Sequence, residues 1–490
     1  MDWTSGQSKA NWLVTRLHQP AWYWSLAFLL VGFNVATSLY ISAHRLLWFD
    51  EIFTANMSRL PNVRTMWNAL REGMEHLPLP YFLIARAFDQ LFHHADIGIR
   101  VPSVLALGAG LLVTFDIGRR LTDGLYGLIA LSFLATPFVT YYGYEARPYA
   151  LCFALAAIAL WIWVTTKVES RTATVAFGAV FLMGVAIHYY FLLCLAPFGI
   201  LALWERRIFH PKVTAGAVGA MAALVVLYPQ IVNSLSAQQR GAFGDWALPS
   251  LSKLQAVYLG FFPLVTVPLV LIAVMASLGR SHERLLPATS PGERISWLFL
   301  SVPLAAFVAA KLVTHLFVDR YMIVAVPGIA VAVACLFWRH CQESRYLSLA
   351  LLIVFAGAGI NGQLLTLRNI DHIQAYGDPQ ARTRQMLALE DTLEREGKRH
   401  LAVRFPLLFL EAWYYSKHRE RYGLVWYGDV GDVGNARKYY ALNFISLEEV
   451  VANARQTAVI GPDPVLTEAL QKAGLRLKTR FITPHVVYLE

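Results

Sequence analysis

Charge is scarce in this chain. Only 15% of its 490 residues are Asp, Glu, Lys or Arg, where a soluble protein of this size carries about 25%. Cysteine is scarcer still: Cys152, Cys194, Cys335 and Cys341 are the whole complement. Three fall in apolar runs and the fourth follows Trp338-Arg339-His340. None lies in the C-terminal region, so no disulfide framework is available there. Their spacing is not that of a zinc site, which leaves packing as their role. No internal repeat is visible, and residues 365–490 hold no phosphate-binding glycine pattern, metal cluster or nucleophile motif. Nor does the net charge of +10 come as a basic stripe with interleaved aromatics. That excludes nucleic acid as a partner.

What the chain has instead is apolar length. Hydrophobic residues make up 57%, the mean hydropathy is +0.46, and the excess falls in blocks separated by short charged loops. This is the pattern of a polytopic membrane protein. Eleven spans are expected: 21–43, 101–118, 124–142, 148–166, 173–187, 189–204, 213–231, 254–279, 296–316, 322–338 and 346–364. Lys9 and Arg16 precede the first, which exceeds the apolar core of about 7–15 residues found in a signal peptide. The reading is an uncleaved anchor with a cytoplasmic N-terminus.

Segment 79–94 carries Arg86, Asp89, His93 and His94 in about 16 residues, short and polar for a crossing. If it does not cross, the loops Arg119-Arg120, Lys167 to Arg171, Arg206 to Lys212, Arg280 to Arg294 and Arg339 to Arg345 are all cytoplasmic, as positive-inside demands. It is therefore expected to be an interfacial or re-entrant helix. The same choice gathers Asp50-Glu51, His76, Tyr144 to Arg147, His188, Asp319 to Tyr321 and the C-terminal region on the extracytoplasmic side. Unusual polar residues collected at one face suggest an active site there.

Two domains are expected. Residues 1–364 form a mainly α transmembrane bundle with an extracytoplasmic loop 44–100. Residues 365–490 form a soluble extracytoplasmic α/β domain. In the loop, Val63, Met66, Trp67 and Leu70 fall at i, i+3, i+4 and i+7. That stripe suits a helix lying on the bilayer or packed on the protein's own spans. In the C-terminal domain, helices are expected over Pro379 to Lys398 and Pro464 to Ala473. Strands are expected at His400 to Phe405, Leu424 to Tyr427, Thr457 to Ile460, Leu475 to Ile482 and Val486 to Glu490.

Three polar clusters could carry chemistry. The first is Asp50-Glu51, directly after Trp48-Phe49 at the end of the first span. Acids beside spans are costly and suggest function, and Asp50 would also serve as a cap for a helix from Glu51 to Leu60. The second is Glu145-Ala146-Arg147-Pro148-Tyr149, where Glu145 and Arg147 either pair with each other or face a substrate. The third is Asp319-Arg320-Tyr321 with Lys311 and His315, which as i and i+4 would share a helix face. Lys311 either binds a substrate or snorkels to the interface. Cations, carboxylates and apolar grooves at one surface match the needs of a lipid-linked phosphate substrate.

Trp48-Phe49-Asp50-Glu51, the stretch His76 to Tyr81, Arg100 to Ser103, Tyr144 to Tyr149, and Arg320-Tyr321 followed by Pro327 occur in an order that resembles the GT-C membrane glycosyltransferases. The branch most similar comprises bacterial enzymes related to protein O-mannosyltransferases and lipid A aminoarabinose transferases. The resemblance implies transfer of a sugar from a polyprenyl phosphate to a lipid, glycan or protein acceptor, outside the cytoplasmic membrane and with inversion. It implies Asp50 as the base with Glu51 beside it, and Glu145 as a second acidic site. Arg320 would match an arginine before the Tyr-and-Pro span, and His76 a His or Lys before a proline pair. Here Leu79 splits that pair and Tyr81 alone follows it. Tyr81, Arg147, Tyr149, Lys311, His315 and Tyr321 complete the expected substrate site. No cofactor is implied, although Asp50, Glu51 and Glu145 offer oxygen ligands for a divalent cation. A transporter or flippase of a lipid-linked or anionic substrate is the alternative, and a lipid-carrier ligase a further one.

Overall fold

The computed structural model describes residues 21–239, 247–278, 289–370, 380–427, 434–481 and 485–489. Lys9 and Arg16, part of the basic loop Arg280 to Arg294, and the end residues Gly279, Pro379, Ile482 and Glu490 of four expected elements lie outside them.

Each expected span contains an apolar helix; some, such as Trp22–His44 and Arg345–Arg368, fill the whole run, while others are broken into shorter pieces. Among the described residues, five stretches are long and apolar enough to cross a bilayer: Trp22–His44, Gly98–Leu121, Pro291–Thr314, Asp319–Cys341 and Arg345–Arg368. A sixth forms if Pro211–Val226 and Tyr228–Ser236, bent by 75°, count as one. Shorter apolar helices cover Gly124–Leu134, Tyr149–Thr165, Arg171–Ile187, Tyr189–Trp204 and Thr266–Met275. Proline accounts for several breaks, because it removes a backbone donor and sits well only in a first helical turn. The run 124–142 breaks before Pro137, the run 213–231 restarts just before Pro229, and Pro263 divides 254–279 into Leu251–Gly260 and Thr266–Leu278. Segment 79–94 forms a helix of 13 residues, Leu79–Leu91, too short to span a bilayer at about 1.5 Å per residue.

The chain divides into two compact units. The helical unit comprises Met1–Ser42, His76–Phe88 and Ile97–Leu367. Its helices Arg171–Ile187 and Pro211–Val226 approach through glycine: a Cβ on Gly219 would stand 2.2 Å from the carbonyl oxygen of Gly178. Small residues at such contacts let backbones close where lipid supplies no hydrophobic drive. The first and last spans are tied by buried polar groups. Thr37 Oγ1 lies 2.5 Å from Gln363 Oε1, and the Gln363 amide donates to Asn34 Oδ1. Arg100, fully buried, donates to the Ser42 carbonyl at 2.9 Å and so secures the end of the first span.

The second unit joins Ala43–Glu75 and Asp89–Asp96 to Arg368–Glu490, so the segments after the first span belong with the C-terminal region. Among the described residues its six strands are β1 (His400–Val403), β2 (Tyr422–Val425), β3 (Phe444–Ile445), β4 (Thr457–Ile460), β5 (Leu477–Phe481) and β6 (Val486–Leu489). Their order is β3-β2-β1-β4-β6-β5, with β1 to β4 parallel and β6 antiparallel to both β4 and β5. Strand β3 was not expected, since two residues carry no period. The helix Val63–Arg71 forms as the stripe predicts, but its buried residues are Met66, Ala69 and Leu70, while Val63 is exposed.

Tyrosine and arginine knit this unit. Arg59 donates to both carboxylate oxygens of Asp89 at 3.2 Å, to the His94 carbonyl at 2.8 Å and to the Tyr414 hydroxyl at 2.5 Å. Burial opposes its charge, but Asp89 outweighs this and raises its pKa above the ordinary value. The hydroxyls of Tyr414 and Tyr415 donate to Asp96 at 2.9 and 2.7 Å.

Gly219→Val should overpack the glycine contact and destabilise the helical unit by about 1–3 kcal/mol. Thermal unfolding in detergent reads this as a lower midpoint, with Gly32→Val, which meets open space, as the control that leaves the midpoint in place.

Candidate functional site

Three turns at helix ends concentrate the polar residues of the helical unit. Residues Glu145 to Arg147 form a tight turn, with the Arg147 N–H 2.8 Å from the Glu145 carbonyl, and Pro148 caps the helix Tyr149–Thr165. His188 ends the helix Arg171–Ile187. The turn Asp319–Ala325 leads into the helix Val326–Cys341, with Asp319 Oδ1 accepting from the Arg320 N–H at 2.8 Å. Glu145, Arg147, His188 and Arg320 are all buried.

These turns converge. The Arg320 guanidinium lies 5.5 Å from the Tyr149 ring centre and 5.9 Å from that of Tyr321. The Tyr321 ring is 4.8 Å from His188, 4.5 Å from Tyr190 and 6.1 Å from Tyr149. Tyr149 also meets His188 at 5.7 Å and Tyr142 at 5.3 Å. It feels the charges of Arg320, Arg147 and Glu145, while His188 feels those of Arg147 and Arg320. His188 Nδ1 accepts from the Tyr190 N–H at 3.2 Å, which places a neutral ring's proton on Nε2. Two guanidiniums, an imidazole N–H and several phenols therefore share one aromatic-walled cluster. Arginine in such surroundings presents a planar fork matched to phosphate or carboxylate oxygens.

The expected site residues divide on this geometry. Glu145, Arg147, Tyr149, Arg320 and Tyr321 come together as expected from two distant stretches. His188, Tyr142 and Tyr190 join them without having been assigned a role. His188 was expected on the same face as the other unusual polar residues, whereas Tyr142 and Tyr190 carried no signal of their own. Lys311 and His315 do not share a helix face. Ala310–Thr314 is a π-helical turn, and His315 ends it in the left-handed region at φ 50°. That wider turn and reversal replace the expected i, i+4 spacing. Both side chains are exposed, with Lys311 Nζ 5.8 Å from the Phe307 ring centre. His76 Nδ1 lies 3.3 Å from Ser234 Oγ, and Tyr81 is buried against Phe82.

In the second unit the acidic pair is split by the helix it begins. The helix runs Phe49–Ser58 with Trp48 as its cap, so Asp50 lies in the first turn rather than at the cap. Glu51 supplies the capping contact instead, accepting from the Trp48 N–H at 3.2 Å, and is fully buried in an ion pair with Arg45 at 2.8 Å. One position earlier on the helix, about 100° around it, Asp50 is half-buried. Among the described residues, no three His, Cys, Asp or Glu side chains converge as metal ligands.

Residues 76–232 match the family described as dolichyl-phosphate-mannose-protein mannosyltransferase. No curated protein matches the chain by sequence. Among solved structures, ArnT from Cupriavidus metallidurans in the apo state is similar at a TM-score of 0.61, with 12% identity, over 95% of this chain and 97% of that one. The same protein bound to undecaprenyl phosphate is similar at 0.53, with 13% identity, over 95% and 98% of the two chains. The chain thus has the GT-C fold of the membrane glycosyltransferases that its motifs resemble, with a small C-terminal sheet.

Glu51→Gln should destabilise the protein by about 3–5 kcal/mol, the usual cost of breaking a buried ion pair from one side. Asp50→Asn, at the half-buried neighbour, should leave the unfolding midpoint within about 0.5 kcal/mol of the parent. Paired thermal unfolding curves make the comparison.

Proposed function

We propose that this chain is a multi-pass membrane glycosyltransferase that moves a sugar from a polyprenyl-phosphate donor to an acceptor outside the cytoplasm, inverting the anomeric carbon. The observation that carries the reading is the buried cluster of Arg147, Arg320, His188 and tyrosines. A site for a phosphate attached to an apolar tail needs cations within apolar walls, and this cluster supplies both. The GT-C fold shared with ArnT, one of whose structures holds undecaprenyl phosphate, supports the same donor class.

The reaction is a direct displacement. The acceptor hydroxyl oxygen attacks the anomeric carbon, and its proton passes to the Asp50 carboxylate. The bond from that carbon to the phosphate oxygen breaks, and its electron pair leaves with the phosphate. Because the leaving group departs as a stable anion, no strong general acid is needed. Arg320 and Arg147 stabilise the charge that grows on it, and the His188 N–H adds a neutral donor. Tyr149 and Tyr321 hold the Arg320 guanidinium, while Glu145 orients Arg147 or contacts the acceptor. Glu51 acts through Arg45 and the helix start, as a positioning residue. His76 and Tyr81 serve the donor from the segment around the helix Leu79–Leu91, and Lys311 and His315 offer further contacts at an exposed edge. The base role of Asp50 rests on its motif and on its partial exposure.

Membranes holding this protein should consume a polyprenyl-phosphate sugar only when an acceptor is supplied, followed by mass spectrometry of envelope glycolipids and glycans with and without the protein. Donor turnover in the absence of any acceptor would overturn the reading. Asp50→Asn should lower the turnover rate by about 10²–10⁴-fold, the usual contribution of a general base, with donor binding retained. Arg320→Gln should weaken donor binding and turnover together.

A further inference from the structure

A second basic cleft lies away from that cluster, on the loop joining the helices Leu195–Trp204 and Pro211–Val226. It has a volume of about 430 Å³ and is lined by Val168, Arg206, Arg207, Ile208, Phe209 and His210, with Pro211 at its edge. The helix Leu195–Trp204 ends in a paired turn. The Arg207 N–H reaches the Ala202 carbonyl at 2.7 Å, and the Arg206 N–H reaches that of Leu203 at 3.0 Å. Such an ending puts one residue in the left-handed region, a place usually filled by glycine. Here it is Arg206, at φ 56°. A strained backbone position occupied by a charged side chain points to use of that side chain.

His210 gives an independent sign. It is only 4% exposed and stacks on Trp163 at 4.4 Å, yet its Nδ1 has no hydrogen-bond partner among the described residues. A buried ring nitrogen in that state is costly unless a ligand or water meets it. Nearby charge is mainly positive. Lys212 is committed to the Ile162 and Thr166 carbonyls at 3.3 and 3.0 Å, and Glu205 faces Arg294 at 3.9 Å. Arg206 and Arg207 are exposed at the cleft. Beside them Ile208 is 67% exposed, Phe209 86% and Trp204 65%. Large apolar side chains beside two guanidiniums suit a phosphate that arrives with acyl chains.

We propose that this cleft binds the phosphate of an anionic phospholipid, with Arg206 and Arg207 gripping the phosphate oxygens, His210 completing the site and Phe209 and Ile208 lying among the chains. By the sequence's charge bias this loop faces the cytoplasm, so the lipid would come from the leaflet opposite the transfer site.

The test uses the full-length protein in detergent, titrated with phosphatidylglycerol, phosphatidylcholine or inorganic phosphate and read by native mass spectrometry. Phosphatidylglycerol should be retained in preference to phosphatidylcholine, and inorganic phosphate should not displace it at comparable concentration. The double variant Arg206→Gly with Arg207→Gln should bind phosphatidylglycerol at least about tenfold more weakly, by loss of charge-assisted hydrogen bonds. Arg206→Gly alone should keep or raise the unfolding midpoint, since glycine fits that backbone, which separates lost binding from lost folding. Equal retention of the two lipids, unchanged binding by the double variant, or ready displacement by inorganic phosphate would each overturn the proposal.

Discussion

The helical unit is organised by the need to keep Arg320 charged while burying it. A guanidinium does not shed its proton at any ordinary pH, and an isolated charge taken from water is very costly. The faces of Tyr149 and Tyr321 offset part of that cost through their electron-rich surfaces. Tyr149 opens one helix and Tyr321 lies in the turn before another, so these elements must meet for Arg320 to be accommodated. His188 and Tyr190, from a third stretch, close the remaining side of Tyr321. On the proposed function, chemistry and folding place the same demand here: the charge proposed to grip a phosphate is also the charge that the tyrosines must accommodate.

Proline and glycine decide where such turns can exist. Apolar runs long enough to continue as helices are stopped near Pro137, Pro229 and Pro263, and Pro148 sets the start of Tyr149–Thr165. Each stop releases backbone groups and frees side chains from helical spacing, which allows Glu145 and Arg147 to lie together. Glycine acts between helices instead, by allowing Gly178 and Gly219 to approach more closely than any Cβ would permit. The two devices produce short, closely packed helices whose ends carry the polar residues.

In the second unit, adjacent acids have different fates because a helix separates them. Glu51 is consumed by Arg45 and the Trp48 N–H, while Asp50 keeps access to its surroundings. A reacting carboxylate must exchange a proton, which a fully buried and paired one does poorly. The knot of Arg59, Asp89, Asp96, Tyr414 and Tyr415 holds the same unit together with fixed hydrogen bonds. Its loops are thus ordered by side chains distant in sequence.

Apolar run length and loop charge, both local properties, were enough to read a polytopic helical protein with an α/β end. Thr457–Ile460 was placed to the residue, and the other long strands to within about two, because alternating or continuous apolar patterns are visible along the chain. Motif order also marked Glu145, Arg147, Tyr149, Arg320 and Tyr321. Other features had no local signature. The left-handed turn at His315 undid a spacing that looked helical, and nothing local showed that Glu51, expected in the site beside Asp50, would be taken by Arg45. His188, Tyr142 and Tyr190 became part of the cluster only when helices far apart in the chain packed together. A sequence records which groups are costly to bury, but the partner that offsets each cost is chosen by packing in three dimensions.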